Sequence, residues 1–319
     1  MTRFEVTAIG EAMLRLSVPV GHHLETMTNL DVHLGGAESN VCAALAGLGR
    51  RCSWASRLPG GPLGRYALRA LRGANVDTSA VVLADDARMG SYFVEYGVDP
   101  RATEVIYDRA HSAVTGLRAH DLDWDTILDT RVLHLTGITP ALGSACRELV
   151  LEAVKRARAR GVKVSFDVNY RSRLWPADAA RRELSKVLPF VDILICGRED
   201  ARTVFDIEGT VGASLGALRR LSGADHVVLT RSHKGAAALW DGEVVEVGAR
   251  EAVVVDRLGA GDAFVAGFLD GYLQDDVRLG LEQGAVTSAL ALGQYGDMLV
   301  SSRDEVLACL AGAQDTLRR

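Results

Sequence analysis

Apolar residues along this chain recur with two different spacings, one typical of β-strands and the other of α-helices. Short runs rich in β-branched residues predict strands at residues 6–9, 131–135, 163–167, 193–196 and 227–230. Apolar residues three and four positions apart predict helices at residues 39–48, 144–160 and 178–187. This alternation predicts an α/β fold with a mostly parallel central sheet and helices on both faces.

Other segments depart from this rhythm and alternate apolar and polar residues with a period of two. They are residues 14–18, 91–96 and 104–107. Two-faced strands are unusual at the centre of a parallel sheet, so we predict a small β-sheet lid built from about residues 12–34 and 88–110. The alternative is an antiparallel extension of the main sheet with no role in function. Aromatic and charged residues in these segments favour the lid, namely Tyr92, Glu95, Tyr107 and Arg109.

The most informative segment is glycine-rich and follows three valines at residues 253–255, which predict a strand. Apolar periodicity predicts a helix after it. Between the two, Gly259, Ala260 and Gly261 allow several backbone N–H groups to converge where the helix begins. The helix dipole adds positive potential there, so we predict an anion hole for phosphate oxygens or for developing negative charge.

Asp262 comes directly after this turn, where a carboxylate among donors for phosphate is electrostatically unfavourable unless it has a task. Such a carboxylate can accept the proton of a hydroxyl that attacks the γ-phosphate of a nucleotide. The alternative is an ordinary aspartate N-cap. No G-x-x-x-x-G-K-[ST] segment is present, and Phe264 replaces the third glycine of a dinucleotide-binding fingerprint, which argues against P-loop enzymes and dehydrogenases.

Composition narrows the class of protein further. The chain has 319 residues, 48% of them hydrophobic, and no apolar run approaches the roughly 20 residues of a membrane span. Its net charge of -5 argues against nucleic acid as a partner. Five cysteines without CxxC spacing predict neither a zinc site nor disulfides, and the first residues lack a secretory pattern, so we predict a cytoplasmic protein.

Two long motifs resemble those of the PfkB, or ribokinase-like, family of carbohydrate kinases. They are GGAESNVCAALAGLG at residues 35–49 and DRLGAGDAF at residues 256–264. The resemblance extends over essentially the whole chain and implies a single ribokinase-like kinase domain at residues 1–319, with the lid inserted in it. It also implies ATP and Mg²⁺ as cofactors, and Asp262 as the catalytic base beside the anion hole.

Within this family, four further segments resemble 2-keto-3-deoxygluconate kinases. They are residues 10–15, 107–113, 135–140 and 166–175. This resemblance implies phosphorylation of the primary hydroxyl of a sugar acid, with 2-keto-3-deoxygluconate as the leading candidate, and a homo-oligomer formed through the lid. The substrate contacts that it implies are Gly35, Gly36, Asn40, Tyr92, Tyr107, Arg109, Ile138, Asn169, Arg171, Asp262 and Asp297.

The chemistry of these residues agrees with an acidic substrate. A carboxylate needs a cation, and Arg109 and Arg171 can offer it charge-assisted hydrogen bonds that a neutral sugar does not require. Each residue also has a simpler interpretation. The two arginines can be solvated surface residues, Tyr92 and Tyr107 can simply pack the lid, and Asn40 can be a helix cap.

The nucleotide contacts that the resemblance implies are Thr230, Ser232, Gly235, Gly259 and Gly261. Gly197, Ser232 and Ala285 replace residues that the family usually has, which puts nucleotide affinity and nucleotide choice in question. Asp200 keeps a carboxylate that can hold Mg²⁺ indirectly, through water.

Two other functions remain open on the sequence alone. One is a kinase with the same mechanism that acts on another sugar, such as fructose or ribose. The other is a weakly catalytic, sugar-binding regulator, which the altered nucleotide positions would suit. The presence of Asp262 and of the complete anion hole argues against a pure binding protein.

Overall fold

The computed structural model describes residues 2–312. Within this range, ten strands form one large sheet. The strands are β1 (Phe4–Ile9), β4 (Cys52–Pro59), β5 (Val76–Asp77), β6 (Val81–Ala84), β9 (Thr130–Thr136), β10 (Lys163–Asp167), β11 (Ile193–Gly197), β12 (His226–Thr230), β13 (Ala236–Trp240) and β14 (Glu243–Val247). Their order in the sheet is β14-β13-β12-β11-β10-β9-β1-β4-β5, with β6 also paired to β4.

Neighbouring strands from β12 to β5 run parallel, and β13 and β14 extend one edge in the antiparallel direction. The five strands predicted for this sheet are present as β1, β9, β10, β11 and β12. Central parallel strands are buried on both faces and therefore appear in a sequence as short continuous apolar runs, which is why the pattern found them.

Helices cover both faces of the large sheet. In the described range they are α1 (Ala37–Gly47), α2 (Pro62–Gly73), α3 (Trp124–Ile127), α4 (Ile138–Ala141), α5 (Ser144–Ala159), α6 (Ala177–Val187), α7 (Arg198–Phe205), α8 (Val211–Ser222), α9 (Ala260–Tyr272), α10 (Val277–Leu292) and α11 (Arg303–Leu310). One hydrophobic core contains residues of α5, α6, α7 and α8, and the other contains residues of α1, α2, α9 and α10. No helix of residues 2–312 is both long enough and apolar enough to cross a bilayer.

The predicted small sheet is separate from the large one, so the alternative of an extended main sheet is wrong. Its order is β3-β2-β7-β8, with β2 and β7 parallel and the outer pairs antiparallel. Its strands are β2 (Met13–Ser17), β3 (Asp31–Gly35), β7 (Gly90–Glu95) and β8 (Glu104–Asp108). We call these four strands the small sheet. The sequence pattern predicted β2, β7 and β8 but not β3.

The strand predicted at residues 253–255 is wrong, because these residues have irregular structure. Val253 is 83% exposed and Val254 is 45% exposed. Valine favours strands where a neighbouring strand and a packed face are present, and the exposed side chains of Val253 and Val254 lack a packed face. The segment contacts α10 instead, where the Val255 N–H donates to the Leu292 carbonyl at 2.7 Å.

Candidate active site

The glycine-rich turn lies where α9 begins. Gly259 has a left-handed backbone with φ 81°, and a Cβ there would lie 2.1 Å from the backbone oxygen of Asp297, so only glycine fits. The Ala263 N–H donates to the Gly259 carbonyl at 2.9 Å. The amides of residues 260–262 precede this first helical bond and have no acceptor within the helix. These amides remain available to donate to an anion, and the anion hole stays a prediction.

Asp262 lies in the first turn of α9 and faces Asn40. The Asn40 Nδ2 donates to the Asp262 Oδ2 at 2.7 Å. Burial raises the pKa of Asp262 to about 7, although the Asn40 hydrogen bond and the positive charge of Arg171 act to lower it. A carboxyl group with a pKa near neutrality can both accept and release a proton under ordinary conditions.

Neither Asp262 nor Asn40 is a helix cap, so both capping interpretations are wrong. The N-cap of α9 is Gly259, and the N-cap of α1 is Gly36. Within the described residues, the buried Oδ1 of Asn40 has no hydrogen-bond partner. Asn40 thus binds Asp262 through its amide nitrogen and retains an acceptor that a ligand can use.

A small cleft of about 80 Å³ opens beside Asp262, between the small sheet and the end of α9. The residues predicted to bind substrate that line it are Gly36, Asn40, Tyr92, Tyr107, Arg109, Ile138, Arg171, Asp262 and Asp297. Two predicted residues do not line it. Gly35 lies against the Tyr92 hydroxyl. A Cβ on Gly35 would be only 2.2 Å from this hydroxyl, so the absence of a side chain leaves room for Tyr92. Asn169 is buried, and its N–H donates to the Asp167 Oδ1 at 3.2 Å.

The small sheet contributes aromatic rings and a cation to this cleft. The rings of Tyr92 and Tyr107 have centroids 5.6 Å apart, and the Tyr92 hydroxyl donates to Asp297. The guanidinium of Arg109 donates to the carboxylate of Glu11. We call the large sheet, with its helices and connecting loops, the large domain. Tyr92 therefore both packs against Tyr107 and binds Asp297 of the large domain. The positive charge of Arg109 is already balanced by Glu11.

Arg171 follows β10 and supplies a second cation. Among the described residues it forms no salt bridge, and its Nη1 donates to the Tyr170 carbonyl at 3.3 Å. Its positive charge lowers the pKa of Asp262, of Asp167 and of Asp200. The guanidinium thus lies close to the proposed base and remains available to an acidic ligand.

A larger cavity of about 620 Å³ lies on the other side of the turn, within the size range of cofactor sites. The predicted nucleotide residues that line it are Thr230, Ser232, Gly235 and Gly261. Ala260 also lines this cavity, whereas Gly259 lines the small cleft. Ala285 and Leu292 of α10 make part of the wall apolar. The turn therefore separates the two spaces and contributes residues to both.

Carboxylates near the turn suit a divalent cation. The Asp200 Oδ2 accepts the Tyr170 N–H at 3.2 Å, and Asp167 lines the larger cavity. Burial, together with the negative charges of Asp200 and Asp262, raises the pKa of Asp167 to about 8. A nearby Mg²⁺ would relieve this repulsion. Since residues 2–312 hold no cluster of three metal-ligating side chains, such an ion would depend mainly on water and phosphate oxygens.

Arg15 is a site residue that the sequence did not predict. It lies on β2, is fully buried, and its Nη1 donates to the Asp297 Oδ1 at 2.6 Å. Its Nη2 donates to the Asp256 carboxylate. Arg15 thus connects the small sheet to Asp256, which precedes the glycine-rich turn, and to Asp297, whose backbone lies against Gly259. The available signal was a charged residue between Leu14 and Leu16 in an alternating strand.

Glu11 and Glu38 were also missed, although both line the small cleft. The Glu38 Oε1 accepts hydrogen bonds of 2.8 Å from the hydroxyls of Thr136 and Thr139. Burial raises the pKa of Glu38. Both residues belong to segments that the sequence analysis singled out, but a carboxylate in a motif does not show which groups it will meet.

Comparison with known proteins identifies the family of this chain. Residues 3–303 match the pattern described as pfkB family carbohydrate kinase. The chain is 39% identical to a 2-dehydro-3-deoxygalactonokinase of Haloferax volcanii, with 99% of each chain covered. It is 32% identical to a 2-dehydro-3-deoxygluconokinase of Thermoproteus tenax, over 92% of this chain and 89% of the relative.

Similarity of structure leads to the same family. The crystal structure of a 2-dehydro-3-deoxygluconokinase from Thermotoga maritima superposes with a TM-score of 0.92 at 34% identity, over 97% of this chain and 99% of that one. The likeness thus includes both the large domain and the small sheet. Together with the family match over nearly the whole length, it shows that the chain belongs to the pfkB family of carbohydrate kinases.

Proposed function

We propose that this sugar kinase transfers the γ-phosphoryl group of ATP to the primary hydroxyl of 2-keto-3-deoxygluconate, also named 2-dehydro-3-deoxygluconate, giving the 6-phosphate. One observation carries the proposal. Asp262 faces the small cleft, whereas Ala260 and Gly261 of the same turn face the larger cavity. A hydroxyl in the cleft and a triphosphate in the cavity would therefore meet at the turn.

The proposed chemistry needs a base on one side and anion stabilisation on the other. Asp262, oriented by Asn40, accepts the hydroxyl proton as the oxygen bonds to the γ-phosphorus and the bond to the β-phosphate oxygen breaks. The amides of residues 260 and 261 stabilise the negative charge on the transferred group. A pKa of about 7 leaves Asp262 largely ionised above neutral pH and basic enough to take the proton.

Mg²⁺ would be held through water near Asp200 and Asp167. When bound, it neutralises charge on the phosphates. The contribution of the chain is to hold the carboxylates in place, and the Tyr170 N–H does this for Asp200 at 3.2 Å.

The acidic nature of the acceptor is supported by Arg171, which has no carboxylate partner among the described residues. It is also supported by relatives named for 2-dehydro-3-deoxy sugar acids. The galactonate is the epimer of the gluconate at one carbon, and the relative from Haloferax volcanii favours it as a second candidate. Both candidates carry the carboxylate that Arg171 would bind.

We also propose a homo-oligomer through the outer face of the small sheet. Val32, Leu16, Phe93 and Ile106 pair in register across the four strands and form one apolar row. Val32 is 47% exposed and Ile106 is 46% exposed. Since Arg15 and Tyr92 lie on the opposite face, a second copy could cover this row without blocking the cleft.

A coupled ADP-release assay tests the function with a panel of the gluconate, the galactonate, fructose and ribose. We expect kcat/KM for a 2-keto-3-deoxy sugar acid to exceed that for either neutral sugar by about tenfold or more, as expected for one charge-assisted contact. A preference for fructose or ribose would contradict the acid assignment. Sugar binding without ADP release would favour the regulator.

A further inference from the structure

The larger cavity has few charged groups on its wall. In the described part of the chain, its ionisable lining residues are Asp167, His233, Arg250, Glu251 and Arg257, with no lysine among them. A triphosphate carries several negative charges, and the backbone amides of the turn are neutral donors. Besides the proposed Mg²⁺, a cation from this set can therefore stabilise the phosphates.

Arg257 has no hydrogen bond or salt bridge from its side chain within residues 2–312, and it is exposed to the cavity. Three other arginines near the site are paired with carboxylates, whereas Arg171 lines the small cleft and not this cavity. Arg231 bonds Glu246 at 2.9 Å, Arg109 contacts Glu11, and Arg15 is held by two aspartates. Arg257 thus retains its full capacity to bind an anion.

The backbone beside Arg257 is anchored. The carboxylate of Asp256 is buried and accepts hydrogen bonds from the Leu258 N–H at 3.0 Å and from the guanidinium of Arg15. The side chain of Arg257 therefore leaves the chain at a fixed point, only two residues before Gly259. Arg250, in contrast, belongs to the exposed irregular segment that precedes the turn.

We infer that Arg257 binds the β- and γ-phosphate oxygens of the nucleoside triphosphate and stabilises the charge on the γ-phosphoryl group during transfer. This inference rests on the proposed function. A planar guanidinium can donate two parallel hydrogen bonds to phosphate oxygens. It would offset the negative charges of Asp167, Asp200 and Asp262, which oppose the approach of a polyanion.

The experiment compares Arg257→Ala with the wild type. We expect the Kd for ATP, measured by calorimetry, to rise about tenfold or more, while the Kd for AMP stays within about twofold because AMP lacks the two outer phosphates. We expect kcat/KM for ATP to fall about 10- to 100-fold, and KM for the sugar acid to stay unchanged. Arg257→Lys should recover part of the loss.

Arg220→Ala is the matched control, since Arg220 is also an exposed arginine and lies on α8, which lines neither the larger cavity nor the small cleft. It should leave the Kd for ATP within about threefold. Equal losses in both variants, or equal losses for ATP and AMP, would overturn the assignment, as would unchanged ATP binding in Arg257→Ala. The comparison of ATP and AMP binding does not depend on turnover. A wild type without kinase activity would therefore contradict the proposed function, while the binding data would still test the role of Arg257.

Discussion

At the scale of single residues, the environment of Asp262 is that of a reactive group. It lies among amide donors that would suit an anion, and burial raises its pKa to about 7. Asn40 gives it one oriented hydrogen bond and is itself no cap. A buried carboxylate of this kind lowers the stability of the folded protein, because its charged form has lost contact with water. Such groups are found mainly where the chemistry of a site requires them.

The first prediction removes this base. Asp262→Asn keeps the shape of the side chain but cannot accept the hydroxyl proton, so kcat should fall about 10²-fold or more. Binding of the sugar acid, measured by calorimetry, should change little. Near-normal turnover in the ADP-release assay would show that another group takes the proton.

The second prediction concerns pH. Only the ionised form of Asp262 can accept a proton, and its pKa is raised to about 7. Wild-type kcat/KM should therefore be high above pH 7. Below pH 7 it should decrease, with a slope that approaches a tenfold decrease for each pH unit. The residual activity of Asp262→Asn should lack this acidic limb. An identical limb in both proteins would assign it to a different group.

The third prediction distinguishes acidic from neutral acceptors. Arg171→Ala should lower kcat/KM for 2-keto-3-deoxygluconate about 10- to 200-fold, since a carboxylate would lose a charge-assisted partner. Activity on fructose should fall far less. Removal of this cation should also raise the pKa of Asp262 and shift the acidic limb to higher pH. Arg181→Ala, which removes an exposed arginine on α6, is the control.

Equal losses for acidic and neutral acceptors in Arg171→Ala would contradict the carboxylate assignment. Retention of the limb at its wild-type pH would show that Arg171 lies farther from Asp262 in solution than in the structure. The two readouts are independent, because one depends on the substrate charge and the other on the free enzyme.

At the scale of elements, the small sheet is attached to the large domain by polar contacts around the cleft. Arg15 and Tyr92 both bind Asp297, and Arg173 contacts the Val105 carbonyl on β8. The cleft of about 80 Å³ is well below the roughly 300 Å³ of a small ligand site. We therefore expect the small sheet and the large domain to move apart as a six-carbon acceptor enters and to close again around it.

The fourth prediction follows from this requirement. Saturating sugar acid should protect backbone amides of residues 91–107 from hydrogen exchange, because the ligand adds contacts between the small sheet and the large domain. Helix α8 lines neither space and serves as the internal reference. If hydrogen exchange at residues 91–107 is unchanged by saturating sugar acid, the small sheet has only a structural role or a role in a subunit interface.

Elements also show where the sequence pattern succeeds and fails. The strands of the large sheet were found because burial on both faces produces apolar runs. The valines at 253–255 form an equally apolar run, yet they pair with no strand of the described residues, and the Val255 N–H donates to α10 instead. Strand propensity is a property of the partners as much as of the residues.

At the scale of the whole molecule, the topology assembles the site. Parallel strands place their carboxyl ends at one edge of the large sheet, where ligands bind in open α/β folds. Asp167, Gly197 and Thr230 end β10, β11 and β12 at this edge. Residues far apart in the chain thereby meet around the turn at the start of α9.

The fifth prediction tests the oligomer at this scale. Ile106→Asp places a charge in the exposed apolar row of the small sheet, and it should convert an oligomer to a monomer in size-exclusion chromatography with light scattering. Val244→Asp is the control, since Val244 is 44% exposed and belongs to β14, an edge strand of the large sheet. A monomeric wild type, or an oligomer that survives Ile106→Asp, would contradict an interface there.

The sequence predicted the alternation of strands and helices from local periodicity and favoured a separate small sheet, and its glycines indicated a special backbone geometry beside Asp262. The tertiary structure alone decided which charges meet. Arg15 binds Asp256 and Asp297 across more than 240 positions of sequence, and Arg109 binds Glu11, whereas Arg171 and Arg257 keep no such partner in residues 2–312. Pairing of this kind depends on long-range packing, and no local pattern encodes it.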